Sequence, residues 1–188
     1  MDVMEKTKKF ESRDEIMESL RQERDLSGTD MSGLDLTGIK LMGLNMKGAD
    51  LHGSNLAHAT LAGADMSEVN LADAYLDEAR IAGASLRAAN LRGAHLNAAQ
   101  VAGVDLKEAD LTGADLSESK LFGVNVTGAD FSDVRTIGAR AAVNWEDAKV
   151  QPTDLPEPIT PPRWLPFLFL AVAASLLLFF RWRKNRSV

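Results

Sequence analysis

The chain contains no cysteine in its 188 residues. That excludes disulfides, thiolate nucleophiles and cysteine-ligated metals, while leaving every cellular compartment open. Proline is missing from the first 150 residues; all six lie beyond that point, a sharp break in composition. The opening stretch, MDVMEKTKKFESRDE, has no apolar run of the kind that forms the core of a secretory signal. Histidine is scarce too. His52, His58 and His95 fall in different parts of the pattern described below, so they predict solvated side chains rather than a metal centre. No serine stands in a pattern with a base, and no phosphate-binding glycine loop separates from the background of glycine. The expectation is a protein without catalysis, cofactor or metal. The net charge of -6 is uneven. Residues 25–140 hold sixteen acids against nine bases, whereas Arg181 to Val188 carry four bases and no acid. Direct nucleic-acid binding is disfavoured by that balance.

What the chain does have is a repeat. From Asp25 it divides into fives: DLSGT, DMSGL, DLTGI, KLMGL, NMKGA, DLHGS. The second residue of each is apolar for 22 consecutive units, from Leu26 to Phe131. Three residues after each centre comes a second inward candidate, most often alanine (Ala49, Ala59, Ala64, Ala74). The register fades at Thr136 and Ala141. A helix cannot use this pattern, because five residues turn it by about 500° and the stripe winds around the cylinder. A simple strand needs alternation instead. A regular five implies a chain that turns a corner every five residues and points one large and one small residue inward. Frequent glycine two residues after the centre suits a corner that needs positive φ.

A second period sets the number of sides. Every fourth unit (KLMGL at 40–44, TLAGA at 60–64, RIAGA at 80–84, QVAGV at 100–104, KLFGV at 120–124) has glycine in the same place and no acid. A period of twenty means four units per coil and about 5.5 coils. Stacked at roughly 4.8 Å per coil, the rod is about 26 Å long. Triplets such as Ala49-Asp50-Leu51, Ala89-Asn90-Leu91, Ala109-Asp110-Leu111 and Ala114-Asp115-Leu116 follow the motif A(D/N)LXX. On these residues the segment 25–140 closely resembles the pentapeptide-repeat family. The resemblance implies an all-β solenoid, a right-handed quadrilateral β-helix, and says little about activity. Some soluble members of that family imitate DNA with an acidic rod and bind type II topoisomerases, which supplies an alternative function. Against it stand the interruptions of the acidic ladder at Asn70 and Asn90.

The ends complete the expected organisation: an N-terminal tail and capping helix at 1–24, the solenoid at 25–145, a linker at 146–163, a transmembrane helix at 164–182 and a basic tail at 183–188. Ser12-Arg13-Asp14-Glu15 reads as a capping box opening a helix over about 13–23 with Ile16, Met17 and Leu20 on one face. Leu34, Ile39 and Leu44 stand where later coils have alanine, which predicts a wider apolar end under that helix. Ala141, Ala142, Val143 and Trp145 are the candidate cap at the other end. The prolines of 146–163 predict an extended spacer reaching about 50 Å at 3.1 Å per residue. Trp164 to Phe180 is a seventeen-residue run without charge, at the lower limit for spanning a bilayer. Trp164, Arg181, Trp182, Arg183 and Lys184 are its expected interfacial anchors. A buried or dimer-forming C-terminal helix is the competing reading, and the spacing Ala171 to Ser175 permits helix pairing into a homodimer. The basic tail argues for an exported solenoid. The missing signal and the terminal position of the span argue for a tail anchor with the solenoid in the cytoplasm, and that orientation is favoured.

The side of period twenty is the candidate binding face. Lys40, Arg80 and Lys120 recur every second coil, with Met42 and Phe122 on the same side and only small residues between. A flat face of this kind fits a protein partner or membrane lipids. The expected function is a membrane-anchored, non-enzymatic interaction scaffold that presents a rigid β-helix near a bilayer.

Overall fold

The computed structural model describes residues 8–159. Two compact units divide at Pro158, and the account below concerns the first. The repeat builds a coil of four sides, with the residue before each centre pairing in parallel with the one twenty positions on. We label the sides by their second coil: A from Lys40, B from Asn45, C from Asp50 and D from Asn55. Centre residues donate their N–H across coils, as Leu26 N to Asn45 O (2.7 Å) and Leu36 N to Asn55 O (2.7 Å). A second bond closes each corner of sides B, C and D, as Ala49 N to Met46 O (3.1 Å), and is missing from the corners of side A. The third residue of each corner has positive φ, as a type II turn requires. This holds at all 23 corners from Gly28 to Gly138. Nine of them are not glycine, including Ala88 (φ 51°) and Glu108 (φ 61°).

The Asp or Asn before each centre has the local role its chemistry suggests. Its side-chain oxygen accepts the backbone N–H two residues on, as Ser27 N to Asp25 Oδ1 (2.8 Å) and His52 N to Asp50 Oδ1 (3.0 Å). On side A that position holds Lys, Thr, Arg or Gln, and nothing competes for the N–H. There the ladder widens into strands: β1 Arg80–Ala82, β2 Gln100–Ala102, β3 Lys120–Phe122, β4 Arg140–Ala142 and β5 Glu157–Pro158. They form one parallel sheet in that order.

Every centre from Leu26 to Phe131 is buried, with alanine the most frequent small inward residue. Ser54 and Ser119 take alanine's place in two coils, and their buried hydroxyls meet no partner among the described residues. An unsatisfied buried hydroxyl costs about 1–3 kcal/mol. Ser54→Ala and Ser119→Ala should therefore each raise stability, by about 1 kcal/mol. Thermal unfolding of the two variants checks this, and a lowered midpoint would mean that the hydroxyls are satisfied in solution.

Helix α1 runs over Arg13–Gln22 and starts as expected, with Ser12 Oγ accepting from Glu15 N at 3.3 Å. Glu15 reaches one residue further back than a capping box predicts, taking the N–H of Glu11 (2.8 Å). Ile16 is buried and Leu20 packs on the core. Met17 does not join them and is 44% exposed, because one residue rotates it about 100° off their stripe. The helix is pinned to the first coil by Arg13 Nη1 bonding Thr37 O (2.7 Å). The N-terminal tail contributes more than expected. Lys9 pairs with Asp30, and Phe10 is buried at the head of side C.

At the other end the coil extends past the expected boundary. Rather than starting a spacer at 146, the chain forms a short 3-10 helix at Trp145–Asp147, pairs Val150 with Asp130, and pairs β5 with β4. Pro152 and Pro156 are buried. Proline can occupy this edge because no further strand among the described residues needs its N–H. Trp145 packs edge-on against Phe131, with centroids 5.1 Å apart, and closes the apolar end. The expected membrane helix, with Trp164, Arg181, Trp182, Arg183 and Lys184, lies outside the described residues. No helix among the described residues is long and apolar enough to cross a membrane.

Candidate functional site

The expected face is brought together as one surface. Lys40 and Arg80 each pair with Thr60, and Arg80, Gln100 and Lys120 then stack in register along β1, β2 and β3. Two residues on, Ala82, Ala102 and Phe122 form a parallel column, and Phe122 is 62% exposed. Met42 occupies the corresponding position near the other end and is 49% exposed. Glycines 43, 63, 83, 103 and 123 border that column. The surface is therefore a row of cations beside a plane that is nearly all alanine and glycine.

The sequence reading missed Arg140. It pairs with Lys120 in the next coil and continues the basic row, and a step of twenty from Lys120 would have found it. Its small centre, Ala141, hid the continuation, although Ala141 is buried and Gly138 still turns the corner. Glu157 then ends the row, its carboxylate 3.8 Å from Arg140 Nε. Lys40, Arg80 and Lys120 have no ion-pair partner among the described residues.

Elsewhere cations sit against acids of a neighbouring coil: Arg87 with Asp105 (3.0 Å), Arg92 with Asp110 (3.1 Å), Lys149 with Asp130 (3.0 Å). Side C also carries an amide ladder, Asn90 donating to Asn70 and Asn70 to Asp50, each at 3.0 Å. The histidines stand apart. His95 stacks on Tyr75 at 4.7 Å on side D, and His58 faces Glu78 at 3.4 Å on the corner between sides D and A. A shallow groove of about 330 Å³ lies there between His58, Glu78, Arg80 and Gln100. No group of three or more metal-ligating side chains comes together among the described residues.

The aspartates before the centres are acidified by their own turns. The hydroxyls of Ser27 and Ser67, followed by backbone N–H groups, hold Asp25 and Asp65 below the ordinary value of 3.8. Asp130 is lowered to about 2 by the Ser132 hydroxyl, then Lys149, then a backbone N–H. Burial works against Asp110, but the Thr112 hydroxyl, the local N–H and Arg92 outweigh it. A carboxylate with a depressed folded pKa stabilises the fold above its unfolded value and loses that contribution as pH falls through its folded one. The thermal midpoint should therefore hold above pH 3.8 and fall between 3.8 and about 2, with Asp130 the last to titrate. Asp130→Asn should shrink the final part of the fall; an identical profile would mean that Asp130 ionises alike in both states.

A family model described as pentapeptide repeats matches in 8 copies over residues 25–56, 54–93 and 99–135, more than half of the chain. The chain belongs to the pentapeptide-repeat family. Among solved structures, this pentapeptide-repeat protein is similar to Rfr23 of the cyanobacterium Cyanothece 51142, at 24% identity over 72% of this chain and 97% of that one, with a TM-score of 0.50. HetL of the cyanobacterium Nostoc sp. strain PCC 7120, involved in heterocyst differentiation regulation, matches at 24% identity over 67% of this chain and 72% of its own, with a TM-score of 0.39. Full-length QnrB1, a plasmid-mediated fluoroquinolone resistance protein, matches at 17% identity over 88% and 94% of the two chains, with a TM-score of 0.31. The likeness to Rfr23 speaks for the fold alone. No curated protein matches the chain.

Proposed function

We propose that this pentapeptide-repeat protein is a non-enzymatic docking scaffold, held at a bilayer by residues 164–182 and making its principal contact through side A. The observation that carries the reading is the contrast between sides. Sides B, C and D bear acids, several of them paired with a neighbouring cation. Side A from Lys40 to Val124 bears none, and it exposes cations beside a plane of alanine and glycine. A β-helix whose coils are hydrogen-bonded to one another along this side is rigid enough to hold such a row in register.

The reading as a topoisomerase-binding DNA mimic needs a continuous acidic stripe. Side C offers the best one, and two of its six aspartate or asparagine positions from Asp30 to Asp130 are amides. Arg92 and Lys149 cover two of the remaining acids. Side C therefore favours the docking reading.

Photo-crosslinking residues placed at Ala102 on side A and at His52 on side C of the full chain, in cells, test the proposal. Adducts with protein or lipid are expected at position 102 and not at 52. Equal yields at the two positions would sink the assignment of side A. Resistance of the chain to carbonate extraction from membranes tests the anchor separately, and protease protection on sealed vesicles then fixes which way the solenoid faces.

A further inference from the structure

We infer that Tyr75, on side D, is a landing place for an arginine side chain of a partner protein, stacked on the open face of the ring and paired with the carboxylate of Asp77. The site lies apart from side A, and nothing in it depends on residues 164–182. The repeat sets this position apart. On sides B, C and D the residue before the centre is Asp or Asn except at Tyr75, Ser85, His95 and Arg135. The aspartates and asparagines there take the N–H two residues on, as Asn55 Oδ1 does from Ala57 N at 3.0 Å. Tyr75 and His95 give up that bond in consecutive coils. They stack on each other instead, with centroids 4.7 Å apart and planes at 12°. A local rule broken twice in one column, with the ring left 46% exposed, is the mark of a functional surface.

The surroundings select what the ring would hold. His95 covers one face. The other looks toward the preceding coil, about 4.8 Å away, where Gly53, Asn55 and Ala57 stand in the places of Asp73, Tyr75 and Asp77. Those three are short, and Asn55 is drawn back to its own backbone, so the outer part of the ring keeps a free face. Asp77 stands two residues on from Tyr75, on the same outer surface of the chain. Its carboxylate has no hydrogen bond or ion pair among the described residues. The neighbouring acids are already engaged: Asp73 lies against Gly93 of the next coil, and Glu78 faces His58 at 3.4 Å. Cations stand further off. Arg13 bonds Thr37 O two coils away, Arg135 faces Asp115, and Arg80 lies beyond the corner on side A. An electron-rich face beside an unpaired carboxylate fits a planar cation. A guanidinium stacks flat on a ring while its edge donates two N–H groups to a carboxylate; an ammonium lacks that geometry. A quaternary ammonium would need a cage of several rings, and here one ring has one free face. The recess is open rather than enclosed, which suits a side chain presented by a protein better than a free metabolite.

Tyr75 is the only tyrosine in the chain, so a carbon-13 label in the tyrosine ring of the full chain gives one reporter at the site. Acetyl-Gly-Arg-Gly-amide should shift its signal saturably, and the lysine analogue should bind about tenfold more weakly. Asp77→Asn should weaken binding of the arginine peptide about tenfold. Asp73→Asn, at a carboxylate turned away, should leave it nearly unchanged. Neither substitution should move the thermal midpoint, which separates lost binding from lost folding. Equal binding of the two peptides, or equal weakening by the two substitutions, would reduce the site to a diffuse acidic field and overturn the proposal. Tighter binding of adenosine than of the arginine peptide would replace the guanidinium with a nucleobase and overturn it too. A signal that no probe shifts would leave Tyr75 a part of the scaffold.

Discussion

Phe131→Ala should cost about 3–5 kcal/mol and should release the final coil before the rest of the solenoid. The column on side C runs through Leu51, Leu71, Leu91 and Leu111 before it reaches Phe131, all buried. No leucine follows. The chain beyond supplies only Val150, paired with Asp130, and the buried Pro152. The larger ring is fully buried and packs at right angles to Trp145. Removing it opens a cavity at the point where fewest neighbours can collapse into it. In a solenoid each coil is stabilised mainly by the next, so the damage should stay local at first. Hydrogen exchange on the full chain reads this directly. Val150 N and Glu157 N, which donate to Ala129 O and Ala139 O, should lose protection, while Leu71 N and Leu91 N keep theirs. Phe131→Leu should recover most of the loss. Uniform loss along the rod would mean that the solenoid unfolds as one unit and that its end has no separate stability.

This terminal coil is also where sequence reasoning stopped short, and for a physical reason. The period of five is legible because each corner needs the same two inward residues, and the period of twenty because four corners close a coil. Both rules hold from Leu26 to Phe131. Past Arg140 the pairing offset contracts from twenty to seventeen, as β5 meets β4. Pro156 there takes the buried place that alanine fills elsewhere, and Pro158 stands exposed at the position of a centre. No periodic pattern survives such a change, so 146–158 read as a spacer. The non-glycine corners were hidden for a different reason. A left-handed residue costs only about 1–2 kcal/mol, small enough for the surrounding ladder to impose on Ala88 or Glu108 without any mark in the sequence. The basic face was legible as Lys40, Arg80 and Lys120, since charge and period twenty coincide there. Its fourth member, Arg140, needed the register.

Ile39→Ala is the substitution that makes the first coil look most like the others, and it should destabilise the protein by about 2–5 kcal/mol. Its column continues as Ala59, Ala79, Ala99, Ser119 and Ala139, all buried, so the repeat by itself predicts a harmless change. The difference lies in what each coil covers. Inner coils have neighbours above and below, and alanine leaves just enough room where two sides converge. The first coil has helix α1 above it instead, with Ile16 fully buried in the shared core. A helix about 10 Å across does not follow a square cross-section, and Ile39 and Leu44 fill the mismatch. Truncation should therefore leave a cavity at the cap and loosen Arg13–Gln22, seen as faster exchange at Glu23 N, which bonds Ser19 O. The reverse change, Ala59→Ile, should cost about 1–3 kcal/mol by overfilling an inner coil. Joining the two should not restore stability, because the lost and added volumes lie in different coils. Rescue in the double variant would mean that neighbouring coils share one deformable interior. Failure to rescue would mean that each coil's width is set separately by the layer resting on it.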